Sequence, residues 1–166
     1  SKVQVVGPGL GPQDPNGLMP RLPTILIVDD DEGHTVLIRQ GFAEAGLPNP
    51  FVEFCDGQAI LDFLCGMTRR GMNASHKDSF LILLDIRMPK VDGVEVLRRV
   101  KADPNLRALP VIMMSTTDDP REIERCHMLG CSAYVRKPVD YESFSGVVQQ
   151  LGNFIRIVSA PKIRAW

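Results

Sequence analysis

The sequence predicts an α/β protein with one parallel sheet of five strands and helices packed on both faces of that sheet. Short apolar runs recur along the chain, and each is followed by a segment whose apolar residues have helical spacing. Gly or Pro separates most of these segments. Because strict alternation joins parallel strands through right-handed crossovers, the helices are expected to cover both faces.

The length and composition indicate one globular domain, since 44% of the 166 residues are hydrophobic and 23% are charged. A net charge of −1 gives no reason to expect nucleic acid or an anionic membrane as the main partner. No apolar run approaches the ~20 residues of a membrane span, and the N-terminus lacks a secretory pattern. The four cysteines form no C-x-x-C pair, so we interpret them as reduced thiols of a cytoplasmic protein.

The chain divides into three parts by local composition. Residues 1–22 contain Gly and Pro too densely for regular structure, so they are expected to form a flexible leader. The predicted domain covers residues 23–159, where apolar runs and helical patterns alternate. Residues 160–166 are left as a C-terminal tail.

The first two strands are expected at 24–28 and 51–54. The first is apolar and mostly β-branched, which is typical of a strand buried on both faces. A helix should follow each strand. The first helix ends near Gly46, and Asp56 is placed to cap the second.

The second half of the chain continues the alternation after residues 66–79, which are polar and are expected to form the end of a helix and a surface loop. Further strands are expected at 80–84, 111–114 and 133–135, and further helices at 93–100, 120–129 and 144–158. The last helix has the clearest pattern, because its apolar residues follow i, i+3 and i+4 spacing throughout.

Polar side chains follow four of the predicted strands, and ligand sites of open α/β sheets lie beyond the carboxyl ends of the strands. These residues are Asp29, Asp30, Asp31, Asp85, Ser115, Thr116 and Lys137. Clustered carboxylates repel one another unless a cation intervenes, and oxygen-only ligands suit Mg²⁺. A lysine and a hydroxyl beside such a cation can bind phosphoryl oxygens, while a carboxylate can attack phosphorus. The cluster therefore predicts phosphoryl transfer onto an aspartate.

Each of these residues also has an ordinary structural interpretation. Asp31 can simply cap the helix that follows it. Ser115 and Thr116 are common turn residues, and a single lysine such as Lys137 is usually solvated. The combination of all of them at one sheet edge favours a functional site.

The ordered motifs resemble the receiver domain of two-component response regulators. They are Val28-Asp29-Asp30, Leu84-Asp85-Ile86-Arg87-Met88-Pro89 with Asp92-Gly93, Met114-Ser115-Thr116 and Tyr134-Val135-Arg136-Lys137-Pro138. Shorter segments resemble stand-alone receivers that work with phytochrome-type histidine kinases. These are Asp31-Glu32-Gly33-His34 and the stretches 46–50, 101–104 and 138–141.

The resemblance implies a flavodoxin-like fold with strand order 2-1-3-4-5, and a role for each matched residue. Asp85 is the implied phosphoacceptor; Asp30, Asp85 and the backbone carbonyl of Arg87 would ligate Mg²⁺, with Asp29 assisting through water. Lys137 and Ser115 would bind the phosphoryl group, and Tyr134 would change rotamer with Ser115. Arg87, whose long side chain can reach the phosphoryl group or an acidic neighbour, and Thr116 would tune the reaction rates. Such a domain is not an enzyme, although it assists its own phosphorylation and dephosphorylation.

The implied partners are a sensor histidine kinase, with a bacterial phytochrome as the candidate, and a second copy of the chain. Signalling would use the surface of the fourth helix, fifth strand and fifth helix. The apolar end of that last helix, at Ile155, Ile157 and Val158, is expected to form an exposed dimer contact. Alternatively, this end folds back onto the domain's own core.

Two other classes of protein share parts of this pattern. A phosphatase of the haloacid dehalogenase type would use Asp29 as nucleophile, but its motif continues with Thr or Val where this chain has Glu32 and Gly33. A pseudo-receiver would act only as a binding module, yet no acid and no lysine of the motif is missing here. His34, His76 and His127 are expected on helix or loop surfaces without a partner constellation.

Overall fold

The computed structural model describes residues 22–69 and 79–157, and the backbone of residues 4–6. The described strands are β1 (Gln4–Val6), β2 (Thr24–Val28), β3 (Phe51–Phe54), β4 (Phe80–Asp85), β5 (Val111–Ser115) and β6 (Ala133–Arg136). The described helices are α1 (Glu32–Glu44), α2 (Gly57–Arg69), α3 (Gly93–Ala102), α4 (Pro120–Leu129) and α5 (Tyr141–Ile157). Most of the predicted polar loop and the predicted C-terminal tail lie outside the described residues.

Strands β2 to β6 are parallel and lie in the order β3-β2-β4-β5-β6. Numbered within these five strands, this is the predicted order 2-1-3-4-5, so the predicted fold class is confirmed. Alternate residues of β2 enter different apolar clusters, with Leu26 in one and Ile27 in the other. Successive side chains of a strand point to opposite faces, which explains why this run is apolar throughout.

Strand β1 corrects the prediction that residues 1–22 have no regular structure. Gln4–Val6 pair antiparallel with β3, and Val5 lies opposite Val52. The first glycine of the chain is Gly7, so the β-branched residues before it can form a strand. They add a sixth, antiparallel strand to the edge of the parallel sheet, where β3 would otherwise leave backbone groups unpaired.

Aspartates cap the helices at the edge of the sheet where the parallel strands end. The Asp31 carboxylate accepts hydrogen bonds from the N–H groups of Gly33 and His34 at the start of α1. The Asp56 carboxylate accepts one from the Ala59 N–H at 2.7 Å, which confirms its predicted capping role. The structural interpretation of Asp31 is therefore correct, and the cap fixes where α1 begins beside the acidic cluster.

The loop between β4 and α3 is held tightly against the end of β4. A Cβ atom on Gly93 would lie 2.0 Å from the Asp85 carbonyl oxygen, so only glycine allows this approach. The Gly93 N–H donates to the Ile86 carbonyl at 2.8 Å. Within the loop, Lys90 has a left-handed φ of 65°, and its Nζ lies 3.0 Å from Asp56 Oδ2. These contacts fix the backbone that follows Asp85.

The end of α5 differs in part from the expected apolar patch. Ile155 is buried in the core, whereas Phe154 and Ile157 are exposed. Val158 lies outside the described residues. At this end of α5, the exposed large apolar residues that the structure describes are therefore Phe154 and Ile157. None of the helices in the described part of the chain is long and apolar enough to cross a membrane.

Candidate functional site

Three aspartates meet at the carboxyl end of the parallel sheet. Asp29 follows β2 and Asp85 ends β4, and both are buried, whereas Asp30 is exposed. One carboxylate oxygen from each of the three lies within 4.8 Å of the others. Such an all-oxygen donor set, partly open to solvent, fits a hard divalent cation. The structure therefore brings the predicted metal-ligating carboxylates together.

Lys137 reaches two of these acids, Asp29 and Asp85, from the end of β6. Its backbone N–H donates to the Ser115 carbonyl at 2.7 Å, which ties the residue to the end of β5. Its Nζ lies 2.5 Å from Asp29 Oδ2 and 3.3 Å from Asp85 Oδ1, and the side chain is only 2% exposed. A lysine can be buried to this extent because it is paired with carboxylates. The interpretation of Lys137 as a solvated surface lysine is therefore wrong.

Asp85 has the electrostatic setting of a reactive carboxylate. Burial raises its pKa to about 6, with the Lys137 ammonium opposing the rise and the Asp29 carboxylate adding to it. Its Oδ1 also accepts a hydrogen bond from the Ile86 N–H at 2.9 Å. The ionised carboxylate is costly in this place without a further positive charge. A bound divalent cation would lower that cost.

The two hydroxyl residues after β5 have different positions. Ser115 is fully buried, and its Oγ accepts a hydrogen bond from the Thr117 N–H at 3.3 Å. Thr116 is exposed and lines the open pocket over the acids. That pocket is lined by Asp30, Asp31, Glu32, His34, Asp85, Arg87, Thr116 and Lys137. Thr116 therefore faces the space above Asp85, while the Ser115 hydroxyl is bonded to the neighbouring loop.

Tyr134 connects β6 to that same loop. Its side chain is partly buried against the apolar cluster that includes Met113, and its O–H donates to the Thr117 carbonyl at 3.3 Å. Burial raises the pKa of the Tyr134 phenol, so it remains a hydrogen-bond donor. The Thr117 backbone is thus bonded to Ser115 on one side and to Tyr134 on the other.

The Arg87 side chain reaches an acidic neighbour. Its Nη2 lies 3.4 Å from Glu122 Oε2 on α4, and the side chain is 73% exposed. Arg87 lines both the pocket over Asp85 and a second groove beside α4. The guanidinium therefore lies between the acidic cluster and α4.

His34 is a residue of this site that sequence reasoning missed. Its Nδ1 lies 3.2 Å from Lys137 Nζ and 3.4 Å from Asp29 Oδ2, and its ring packs against Phe144. The expectation that His34 has no partner constellation is therefore wrong. The usable signal was its place in the first turn of the helix that starts at the acidic edge. His76 lies outside the described residues, and His127 on α4 contacts Cys131.

Comparison with known proteins defines the class of this domain. Residues 25–149 match the response regulator receiver domain family, so the chain belongs to that family. Among solved structures, a receiver domain from Rhodospirillum rubrum is 38% identical with a TM-score of 0.79. The match covers 86% of this chain and 99% of that one.

The four cysteines are free thiols in the structure.

More specifically, the chain is similar to phytochrome-associated response regulators. The phosphorylated cyanobacterial phytochrome response regulator RcpA is 30% identical with a TM-score of 0.73, covering 85% of this chain and 99% of RcpA. Response regulator Rcp1 from Synechocystis is 27% identical over 78% of this chain and 86% of its own length. The Mn²⁺-bound form of response regulator Rcp1 superposes with a TM-score of 0.72, at 25% identity over 84% of this chain and 99% of that one. The predicted resemblance to this group is confirmed.

Proposed function

We propose that this receiver domain accepts a phosphoryl group from a histidine kinase on Asp85, in a reaction that requires Mg²⁺. The observation that carries this proposal is the position of the buried Asp85 carboxylate. One of its oxygens lies within 4.8 Å of carboxylate oxygens of Asp29 and Asp30, and Oδ1 lies 3.3 Å from the Lys137 ammonium. An acid in this setting can act as a nucleophile, and the lysine can hold the charge that arrives with the phosphoryl group.

Each residue of the site has its own part in the proposed phosphoryl transfer. The ionised Asp85 carboxylate forms an O–P bond as the P–N bond of a donor phosphohistidine breaks, and the leaving imidazole keeps that electron pair and takes up a proton. Lys137 binds one phosphoryl oxygen by a charge-assisted hydrogen bond. A divalent cation held by Asp30, Asp85 and the Arg87 carbonyl, with Asp29 assisting through water, would neutralise charge on the other oxygens. The Mn²⁺-bound form of Rcp1 supports a divalent cation in this family.

The signal would leave the site through the loop after β5. The Ser115 hydroxyl turns from the Thr117 N–H toward the phosphoryl group, to which it donates a hydrogen bond. Tyr134 responds by changing rotamer, because its O–H is bonded to the Thr117 carbonyl in the present state. Arg87 and Thr116, which line the pocket, set the rates of phosphorylation and hydrolysis. The outcome is a changed surface of α4, β6 and α5.

The proposed partner is a sensor histidine kinase, with a bacterial phytochrome as the candidate because RcpA is a phytochrome response regulator. The chain would be a cytoplasmic phosphoprotein that turns over no substrate of its own. The exposed apolar residues Phe154 and Ile157 on α5 support a homodimer contact. Sedimentation of the protein with and without Phe154→Asp tests this contact.

The test of the proposed function is intact-mass measurement after incubation with Mg²⁺ and acetyl phosphate. One added phosphoryl group, lost in Asp85→Asn and in EDTA, is the expected result. No adduct, together with no binding of beryllofluoride, would favour a pseudo-receiver that acts only as a binding module. Turnover of a small phosphomonoester through Asp29 would instead favour a phosphatase.

A further inference from the structure

The ammonium of Lys137 has three acceptors around it, and one of them is a histidine. An ammonium carries three N–H donors and no acceptor. Its Nζ lies 2.5 Å from Asp29 Oδ2, 3.3 Å from Asp85 Oδ1 and 3.2 Å from His34 Nδ1. Each donor can therefore have its own partner.

The contact with Lys137 favours one tautomer of His34. Nδ1 has two polar neighbours, Lys137 Nζ at 3.2 Å and Asp29 Oδ2 at 3.4 Å. The nearer ammonium has only donors, so a proton on Nδ1 would face another donor, and we assign Nδ1 as the accepting nitrogen and Nε2 as the protonated one. The Nε2 atom lies 3.8 Å from Asp31 Oδ2, on the side of the ring away from Lys137. The imidazole thus has its acceptor toward the lysine and its donor toward an acid.

The imidazole is itself held in place from two directions. The His34 backbone N–H donates to Asp31 Oδ1 at 3.3 Å, which anchors the residue in the first turn of α1. Its ring centroid lies 5.5 Å from that of Phe144, a buried residue of α5. A half-exposed histidine would otherwise sample several rotamers. These contacts keep Nδ1 aimed at Lys137.

We infer that His34 is a positioning residue, which holds the Lys137 ammonium so that one N–H remains directed at Asp85. This inference rests on the proposed phosphoryl transfer to Asp85. Without His34 Nδ1 as an acceptor, the flexible lysine stem lets the Lys137 ammonium turn toward Asp29, its nearest partner. The N–H that would bind the incoming phosphoryl oxygen then points toward Asp85 only part of the time. His34 touches neither Asp85 nor the phosphoryl group in this scheme, so it acts through Lys137.

Two variants distinguish the effect of a hydrogen-bond acceptor at position 34 from the effect of side-chain volume. Asn places its side-chain oxygen on Cγ, where His places Nδ1, so His34→Asn keeps an acceptor toward Lys137. His34→Leu fills similar space with a methyl group and removes the acceptor. We expect His34→Leu to slow phosphorylation by acetyl phosphate at saturating Mg²⁺ roughly tenfold, the scale of one hydrogen bond to a charged group. We expect His34→Asn to remain within about threefold of the parent protein.

The Mg²⁺ affinity of each variant, measured by calorimetry, tells positioning from a metal effect. The inference expects Mg²⁺ affinity to change less than about threefold in both variants. Equal rates in the parent and both variants would overturn it, and so would equal losses in both variants. A normal rate at saturating Mg²⁺ with weakened Mg²⁺ binding would also overturn it, because His34 would then serve the metal site.

A second measurement does not depend on phosphorylation. Long-range ¹H–¹⁵N spectra at mildly alkaline pH, where an ordinary imidazole is neutral, report which ring nitrogen carries the proton. We expect Nε2–H for His34 in the parent protein and a mixture of tautomers in Lys137→Met. If the parent accepts no phosphoryl group but keeps this pattern, the proposed function fails while the His34–Lys137 contact stands. A protonated Nδ1 in the parent would overturn the inference whatever the phosphorylation result.

Discussion

The two sides of the acidic pocket are built differently. On one side, which we call the capture side, Asp29, His34 and Lys137 form short contacts, and Lys137 is 2% exposed. On the other, which we call the switch side, Arg87 is 73% exposed and reaches Glu122 at 3.4 Å, while Tyr134 bonds a carbonyl at 3.3 Å. Charges that are buried and fully paired keep one arrangement, whereas exposed and long contacts exchange partners at little cost. This difference supports our proposal that the capture side carries the chemistry and the switch side carries the signal.

The strongest test of this comparison removes the charge of the capture side. Lys137→Met keeps an apolar stem of similar length and deletes the ammonium between Asp29 and Asp85. We expect phosphorylation by acetyl phosphate to fall by about 100- to 1000-fold, the usual scale for losing a charge-stabilising donor in a buried site. The measurement is the rate of mass increase at saturating Mg²⁺, with thermal unfolding as the control for folding. A rate within about tenfold of the parent protein would show that the Lys137 ammonium is not required for the chemistry.

The next effect concerns the stability of the metal-free protein. Burial raises the folded-state pKa of Asp85 to about 6, above the ordinary value of 3.8. The folded state therefore binds more protons than the unfolded state between these two values, so stability falls as pH rises through them. Above pH ~6 the ionised Asp85 costs up to about 3 kcal/mol, and below pH ~4 that cost is absent.

Asp85→Asn removes this titration and gives the prediction its measurement. In EDTA, denaturant unfolding should show the variant more stable than the parent by about 1–3 kcal/mol at pH ~7.5, with the difference shrinking toward pH ~4. Added Mg²⁺ should stabilise the parent more than the variant, because the variant offers a weaker ligand. A pH-independent difference would mean that burial of the Asp85 charge is not its source.

The two sides were not equally readable from the sequence. Asp29 and Lys137 directly follow strands and Asp85 is the last residue of one, so strand ends alone place them at one edge of a parallel sheet. His34 reaches the same edge from inside a helix, and its direction depends on how α1 packs against Phe144 of α5. Such packing is a tertiary property that spacing along the chain does not encode.

The same reasoning explains the other differences. The Glu122 partner of Arg87 lies on α4, and sequence reasoning could name only an unspecified acidic neighbour. Strand β1 pairs with β3, which lies far away along the chain. The many Gly and Pro residues after Val6 led us to expect no regular structure there. The strand order itself came from the resemblance, since alternation fixes parallel strands but not their sequence across the sheet.

On the switch side, Tyr134→Phe should affect signalling more than chemistry. It removes only the hydrogen bond from the phenol to the Thr117 carbonyl, so a stability loss of about 0.5–1.5 kcal/mol is expected. The phosphorylation rate should stay within about twofold of the parent's. Hydrogen exchange of residues 116–129, with and without beryllofluoride, should respond less to the analogue than in the parent. A response equal to that of the parent would show that the signal does not depend on the Tyr134 hydroxyl.

The smallest effect is expected for the ion pair of Arg87 and Glu122, whose side chains are 73% and 19% exposed. Arg87→Ala and the matched Glu122→Gln should each change the free energy of unfolding by less than about 1 kcal/mol, because the contact is long at 3.4 Å and the exposed guanidinium is well solvated without it. Their effects on the phosphoryl lifetime should differ, since Arg87 lines the pocket over Asp85, whereas Glu122 lines the groove beside α4 and not that pocket. Glu122→Gln removes the negative charge that pairs with Arg87, so the guanidinium is free to reach the phosphoryl group. This variant should therefore alter the phosphoryl lifetime in the direction opposite to Arg87→Ala. Lifetimes that shift together in the two variants would show that the ion pair, and not the free guanidinium, controls hydrolysis, and the switch side would then extend into α4 as one unit.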